Sequence, residues 1–299
     1  MSSTLATVRT AEHQGVALPV PDPGMLKCPV CGSTAWGPAP GVRGVSLVRC
    51  AQCGLLGTTH FVTGARSTET LYDVSEENHA EYRRHYLPHR LAAYRRFLPG
   101  LEQFRKSGRL LEVGSGYGYF LEMAAKAKWD CEGVEISAYC CEIATRSGCK
   151  VRQKPLRDAG LAAETYDIVV LWDVIEHFTE PDEIVRMCRS LLRNGGALVM
   201  RTPDGRALAR SLGPVRTAYR HLVYPANTAE HVFHFTPDDL SSMVTNLGFA
   251  VQSVECDESW QERVISGNNQ LVLTARHLIM RYAYWRAWPY EFVLTAIKA

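Results

Sequence analysis

The chain has 299 residues, a formal charge of +2 and a hydrophobic share of 46%. That length fits one large domain or a domain of about 150–200 residues with an accessory module, and the apolar share excludes wholesale disorder. The near-zero charge argues against an arm that binds nucleic acid by charge alone.

In chain order, residues 1–24 carry Pro19, Pro21 and Pro23 and read as a flexible tail. They lack the apolar core of a secretory signal, and no run of about 18 apolar residues suggests a spanning helix. A reducing, cytoplasmic setting without membrane contact is therefore expected, where paired CxxC motifs are metal ligands rather than disulfides. Such motifs occupy residues 25–60 as CPVC and CAQCG, contributing Cys28, Cys31, Cys50 and Cys53. Four thiolates satisfy tetrahedral Zn2+ in a closed, structural shell. The segment is too small to build its own core, so the metal would supply its folding energy. Residues 61–108 read as a helical cap or linker, with Tyr72, Tyr82, Tyr86, Tyr94 and Phe97 at roughly helical spacing.

From residue 109 strands and helices alternate. RLLEVGS, DCEGVEIS, CKVRQ, YDIVVLWDV and GALVMRTP read as strands. Between them, Tyr119–Lys128, Ala138–Ser147 and Asp182–Leu192 read as helices, the last ended by a cap at Asn194-Gly195-Gly196. Thr236–Leu247 opens with a Thr cap and a Pro at the first helical position. FAVQSVEC and EFVLTAIKA are the final strands. This alternation predicts an α/β fold, a parallel sheet with helices on both faces.

Two signals point to a nucleoside. LLEVGSGYG is a strand running into a glycine turn, where the backbone can approach a ligand closely. Glu135 ends the strand GVEI nineteen residues after Gly116, where a carboxylate can accept hydrogen bonds from both ribose hydroxyls. Taken with YDIVVLWDVIEHF, LLRNGGALVMRTPD and EHVFHFTPDDL, the pattern from about Leu110 to Ala299 resembles the class I S-adenosylmethionine-dependent methyltransferases.

The resemblance implies a Rossmann-like seven-stranded sheet of order 3-2-1-4-5-7-6 with strand seven antiparallel. It would fill residues 109–299, with insertions at 205–230 and 258–288. It also implies S-adenosylmethionine. Glu112, Val113, Gly114, Ser115, Gly116, Tyr117 and Gly118 would hold its methionine part, and Glu135 its ribose. Ile136, Pro155 and Leu156 would line adenine, and Trp172 and Asp173 would flank the amino-acid moiety. Glu112 replaces the more usual Asp and keeps the charge. A ribbon joined to such a domain resembles bacterial tailoring enzymes, which implies a small-molecule acceptor of natural-product or saccharide type, methylated at oxygen by a monomer or homodimer.

A hydroxyl acceptor calls for a base. His177, His231 and His234 are the candidates. Asp173, Glu176, His177 and His231 could instead hold a second divalent ion. That set is similar to the metal-dependent small-RNA 2′-O-methyltransferases and some ubiquinone-pathway O-methyltransferases. Two alternatives stay open. One is an RNA 2′-O-methyltransferase using the ribbon and Arg206, Arg210, Arg216 and Arg220. The other is a non-catalytic scaffold that docks a partner through its ribbon. The apolar, aromatic stretch at 271–290 is read as core packing or an oligomer contact.

Overall fold

The computed structural model describes residues 27–42, 45–62, 75–209, 230–257, 259, 274, 278 and 291–299. The tail at 1–24, most of the two insertions and Arg210, Arg216 and Arg220 lie outside the described residues.

The two cysteine knuckles flank a small meander. β1 (Trp36–Val42), β2 (Val45–Cys50) and β3 (Leu56–Thr58) pair antiparallel, with Trp36 opposite Cys50 and Leu47 opposite Thr58. A short α1 (Thr59–Val62) follows. α2 (Glu76–His85) starts at Ser75, whose side chain and that of Asn78 cap each other's backbone N–H groups. α3 (Leu87–Phe97) begins with Pro88 near its N-terminus and buries His89, Ala93 and Tyr94. A 3-10 turn (Leu98–Phe104) leads to the catalytic-size domain.

That domain runs β4 (Arg109–Val113), α4 (Tyr119–Lys126), β5 (Asp130–Glu135), α5 (Ala138–Arg146), β6 (Val151–Gln153), β7 (Tyr166–Trp172), α6 (Pro181–Leu191) and β8 (Leu192–Pro203). It continues through α7 (Arg206–Ala209), a two-residue β9 (Phe233–His234), α8 (Pro237–Asn246), β10 (Phe249–Asp257) and β11 (Glu291–Lys298). The sheet order is β6-β5-β4-β7-β8-β11-β10. β11 is antiparallel to both its neighbours, and the other pairings from β6 to β8 are parallel. The expected seven-stranded order and its reversed strand are thus present.

β7 is buried at every position because helices cover both sheet faces. Val169 and Leu171 pack on one side with α6 and α8, while Ile168, Val170 and Trp172 pack on the other with Tyr94 and Phe120. The ribbon shares the first of these cores through Cys28, Val30, Trp36, Val48, Leu55 and Phe61. β9 is the fourth strand of the ribbon's sheet, so the ribbon is joined to the domain by backbone pairing.

One expectation is corrected. Asn194-Gly195-Gly196 does not cap a helix: α6 already ends at Leu191, and Leu192 is extended. The three residues form an irregularity within β8, between the pairs Tyr166–Leu192 and Ile168–Ala197. A Cβ on Gly196 would lie 2.9 Å from the Arg193 carbonyl oxygen and 3.0 Å from that of Asp167, which explains the glycine.

Asp167, fully buried, sets the entry to β4. One oxygen accepts from the N–H groups of Lys106, Ser107 and Gly108 at 2.8, 2.7 and 2.7 Å, and the other pairs with Arg193. Asp167→Asn replaces one of these acceptors with a donor. It is expected to cost about 3 kcal/mol, read as a lower denaturant midpoint at unchanged slope.

Candidate functional site

The glycine loop leaves β4 with three left-handed residues, Gly114, Gly116 and Gly118, at φ +70°, +50° and +81°. Gly114 and Gly118 are tightly packed: a Cβ would lie 2.7 Å from Val174 and 2.8 Å from Ala144. Gly116 faces open space. Glu135, at the end of β5, gathers the loop. Its carboxylate accepts from the N–H groups of Gly116 at 2.8 Å, Ile136 at 2.7 Å and Ser137 at 2.9 Å. Ile136 beside it is 41% exposed, an apolar surface at the open end of the strand. Pro155, exposed, and Leu156, half-buried, follow Gln153, which is the register partner of Glu135.

Glu112 is buried within β4, and among the described residues its Oε2 has no hydrogen-bond partner; neither has the buried Oγ of Ser115. Burial pushes the Glu112 carboxyl well above the ordinary range, with Glu135 adding to the rise and Arg90 opposing it. A cation placed here would relieve that cost, which fits a cofactor carrying a sulfonium and an ammonium group. The cap reaches over the same loop. His79 stacks on Tyr117 with ring centroids 4.1 Å apart and lies 3.0 Å from the Tyr119 hydroxyl, and Tyr82 sits 5.0 Å from Tyr117.

Trp172 closes β7 and Asp173 follows it. The Trp172 indole is 2% exposed and lies among Tyr94, Phe97 and Phe120, so it belongs to the core. Asp173, at φ +55°, pairs with Arg90 at 3.0 Å and with the buried Arg201. Arg201 also pairs with Asp257 at 2.6 Å and with Glu291, tying β7, β8, β10 and β11 together. Arg90, Arg201 and His79 escaped the reading of the sequence, and Tyr82 entered it only as part of a helical pattern, since their partners lie far away in the chain.

The three histidines do come together. His177, in the turn after β7, lies 4.9 Å from His231 between ring centroids, and His231 lies 5.9 Å from His234. The Val232 N–H donates to the Glu176 carbonyl at 2.8 Å, and His177 Nδ1 donates to the Glu230 carbonyl at 3.0 Å. Burial lowers the basicity of all three rings, taking His234 down to about 3. Glu176 accepts from the Thr202 hydroxyl at 2.9 Å, and its other oxygen is unpartnered. Burial, with the charge of Asp173, pushes this carboxyl up to about 8. Ligand atoms of Glu176, His177 and His231 lie within 4.8 Å of one another. Asp173 is not among them: its two arginines hold it, which corrects the expected four-residue ion set.

The four ribbon cysteines also converge, with all four sulfurs within 4.8 Å. Cys28 and Cys53 are 3.5 Å apart, as are Cys31 and Cys50. Thiolates about 2.3 Å from a tetrahedral ion stand about 3.8 Å apart, so the donor set fits zinc. Gly32 and Gly54, at φ +75° and +87°, close the knuckles by donating to the Cys28 and Cys50 carbonyls.

A family model described as a methyltransferase domain matches residues 82–254, more than half of the chain. The ubiquinone biosynthesis O-methyltransferase of Xanthomonas euvesicatoria pv. vesicatoria is 27% identical over 164 residues, 52% of this chain and 69% of that protein. The enzyme of the same name from Bordetella avium is 26% identical over 173 residues, 54% and 72% of the two chains. A SAM-dependent methyltransferase structure from Thermotoga maritima superposes with TM-score 0.51 at 20% identity, covering 78% of this chain and all of the other. Geranyl diphosphate C-methyltransferase from Streptomyces coelicolor, solved with Mg2+, geranyl diphosphate and S-adenosyl-L-homocysteine, superposes with TM-score 0.53 at 13% identity over 70% and 81%. Among the described residues no helix is long and apolar enough to cross a membrane.

Proposed function

Because the chain belongs to the methyltransferase-domain family and is a class I S-adenosylmethionine-dependent methyltransferase, we propose that it methylates a hydroxyl oxygen of a small molecule, with His177 taking the proton. S-adenosylmethionine, when bound, supplies an electrophilic methyl group on a sulfonium with a neutral leaving group, so the protein chiefly aligns the acceptor. Glu135 and Ile136 would hold the nucleoside, and Glu112 with the open Gly116 loop the cationic end. Pro155 and Leu156 would border adenine.

The observation that carries the choice of base is the bond from His177 Nδ1–H to the Glu230 carbonyl. A carbonyl only accepts, so this bond places the ring proton on Nδ1 and makes Nε2 the basic nitrogen of the ring. Burial keeps the ring in its neutral, basic form. The names of the relatives, O-methyltransferases, favour oxygen over other acceptor atoms. The four cysteines would hold a structural zinc outside the chemistry.

A second reading is favoured by the convergence of Glu176, His177 and His231. A divalent ion there would lower the pKa of a chelated acceptor hydroxyl. One set of assays separates the readings: transfer of labelled methyl from S-adenosylmethionine to a phenol, a catechol and a monosaccharide. His177→Asn should reduce kcat by about 100-fold or more with cofactor affinity intact. Turnover that survives chelation with one zinc retained supports the metal-free base. Turnover lost on chelation and restored by Mg2+ or Mn2+ supports the ion. A steep salt dependence of RNA binding would instead favour a nucleic-acid acceptor, and absence of cofactor binding by calorimetry would leave a scaffold.

A further inference from the structure

The ribbon and the acceptor-side histidines share one sheet. Leu56 and Gly57 of β3 lie opposite His234 and Phe233 of β9. The Thr58 N–H donates to the Val232 carbonyl at 2.9 Å, and Trp36 stacks on Phe233 with centroids 6.3 Å apart. From the knuckle side, the Asn246 side-chain amide of α8 donates to the Val30 carbonyl at 3.1 Å. On its other flank the histidine segment is gripped by the end of β8. The Gly205 N–H donates to the Phe235 carbonyl at 2.8 Å, and a Cβ on Gly205 would stand 2.3 Å from the His234 carbonyl oxygen.

These contacts fix the backbone of 232–235 and leave the imidazole rings to be oriented by their side-chain partners. Thr58 supplies one. Its hydroxyl lies 2.9 Å from His234 Nε2, with the threonine wholly buried and the histidine 3% exposed. From His234 the rings continue to His231 and on to His177. A side chain of the accessory ribbon therefore ends the row of imidazoles that starts at the candidate base.

We infer that Thr58 is a positioning residue: contributed by the ribbon, its hydroxyl sets the orientation of the His234 ring and, through it, the His231–His177 pair on the acceptor side. The inference rests on the proposed acceptor role of those histidines. It makes the ribbon a wall of the site rather than an appendage. A buried imidazole can rotate about its side-chain torsions, and a hydrogen bond from a stiff β-branched residue selects among those orientations.

Two substitutions of opposite character test this on the full chain. Thr58→Val keeps shape and strand preference and removes the hydroxyl. Thr58→Ser keeps the hydroxyl and removes the methyl group. Ring 15N resonances of His234 report the hydrogen bond at Nε2 directly. The inference expects Thr58→Val to shift those resonances and to lower kcat about tenfold, a misplacement effect, with S-adenosylmethionine affinity within about twofold by calorimetry. Thr58→Ser is expected to return both readouts to the parent values. The opposite pattern, Val like the parent and Ser impaired, would show that Thr58 matters only as packing and would overturn the inference. So would unmoved His234 resonances in Thr58→Val, or moved resonances with unchanged kcat. Failure of the acceptor reading itself shows elsewhere, as full turnover in His177→Asn.

Discussion

Arg201→Met should be the most damaging single substitution in the described part of the chain. Arg201 is 1% exposed and stands against the carboxylates of Asp173, Asp257 and Glu291. Removing it leaves three acidic groups facing each other in the interior, with Arg90 reaching Asp173 alone. Breaking a buried ion pair from one side costs about 3–5 kcal/mol, so a loss of about 10 °C in Tm or failure to accumulate folded protein is expected. The pH dependence identifies the cause. Burial by itself would raise the Asp257 carboxyl, but Arg201 and the N–H and hydroxyl of Ser259 outweigh it and hold it below its ordinary value. A depressed folded pKa contributes stability above the unfolded value of about 3.9 that is lost as pH falls through the folded one. In Arg201→Met the largest charge opposing burial is gone, so burial raises the Asp257 carboxyl above its unfolded value and it takes up a proton as pH falls from 7 toward 4. The variant's deficit against the parent should therefore shrink as pH is taken from 7 toward 4, followed by thermal melts. A deficit constant with pH would mean that lost packing, not stranded charge, is responsible.

Glu135→Ala should abolish useful cofactor binding. The carboxylate collects three backbone N–H donors and so holds the glycine loop against the end of β5. Bonds to a charged acceptor are worth about 1.5–3 kcal/mol each, and every 1.4 kcal/mol is a factor of ten in affinity. Losing the loop's anchor together with the proposed ribose acceptor should weaken S-adenosylmethionine by about 100-fold or more in calorimetry. Glu135→Gln, which retains one acceptor oxygen, should lose about tenfold. Unchanged affinity in a folded Glu135→Ala would remove the nucleoside from this strand end.

The domain was readable in the sequence where local pattern and tertiary role agree. The run YDIVVLW is apolar on both faces because both faces are covered, and LLEVGSGYG carries its turn in its glycines. Thr236 announces α8 through its cap, with Asp239 answering it. Reading failed where distance in the chain decides. β1 holds Pro38 and Pro40 and shows no strand signature, yet it pairs along β2 at the sheet edge, where proline is tolerated. β9 is two residues long and exists only because β3 lies beside it. Asp173 looked like a metal ligand by its spacing from Glu176 and His177, and it is claimed instead by arginines from α3 and β8. Asn194-Gly195-Gly196 looked like a helix stop, but its glycine serves a crowded strand irregularity.

The bond between Thr58 and His234 spans 176 residues. On a ribosome the knuckles and β3 are made well before β9. The free edge of β3 then waits for β9 with its N–H and C=O groups unsatisfied, a template for pairing with the wrong strand. Such long-range closure is slow, so the edge of β3 stays open until the chain reaches residue 234. Truncating the protein to isolate either half would make that waiting state permanent.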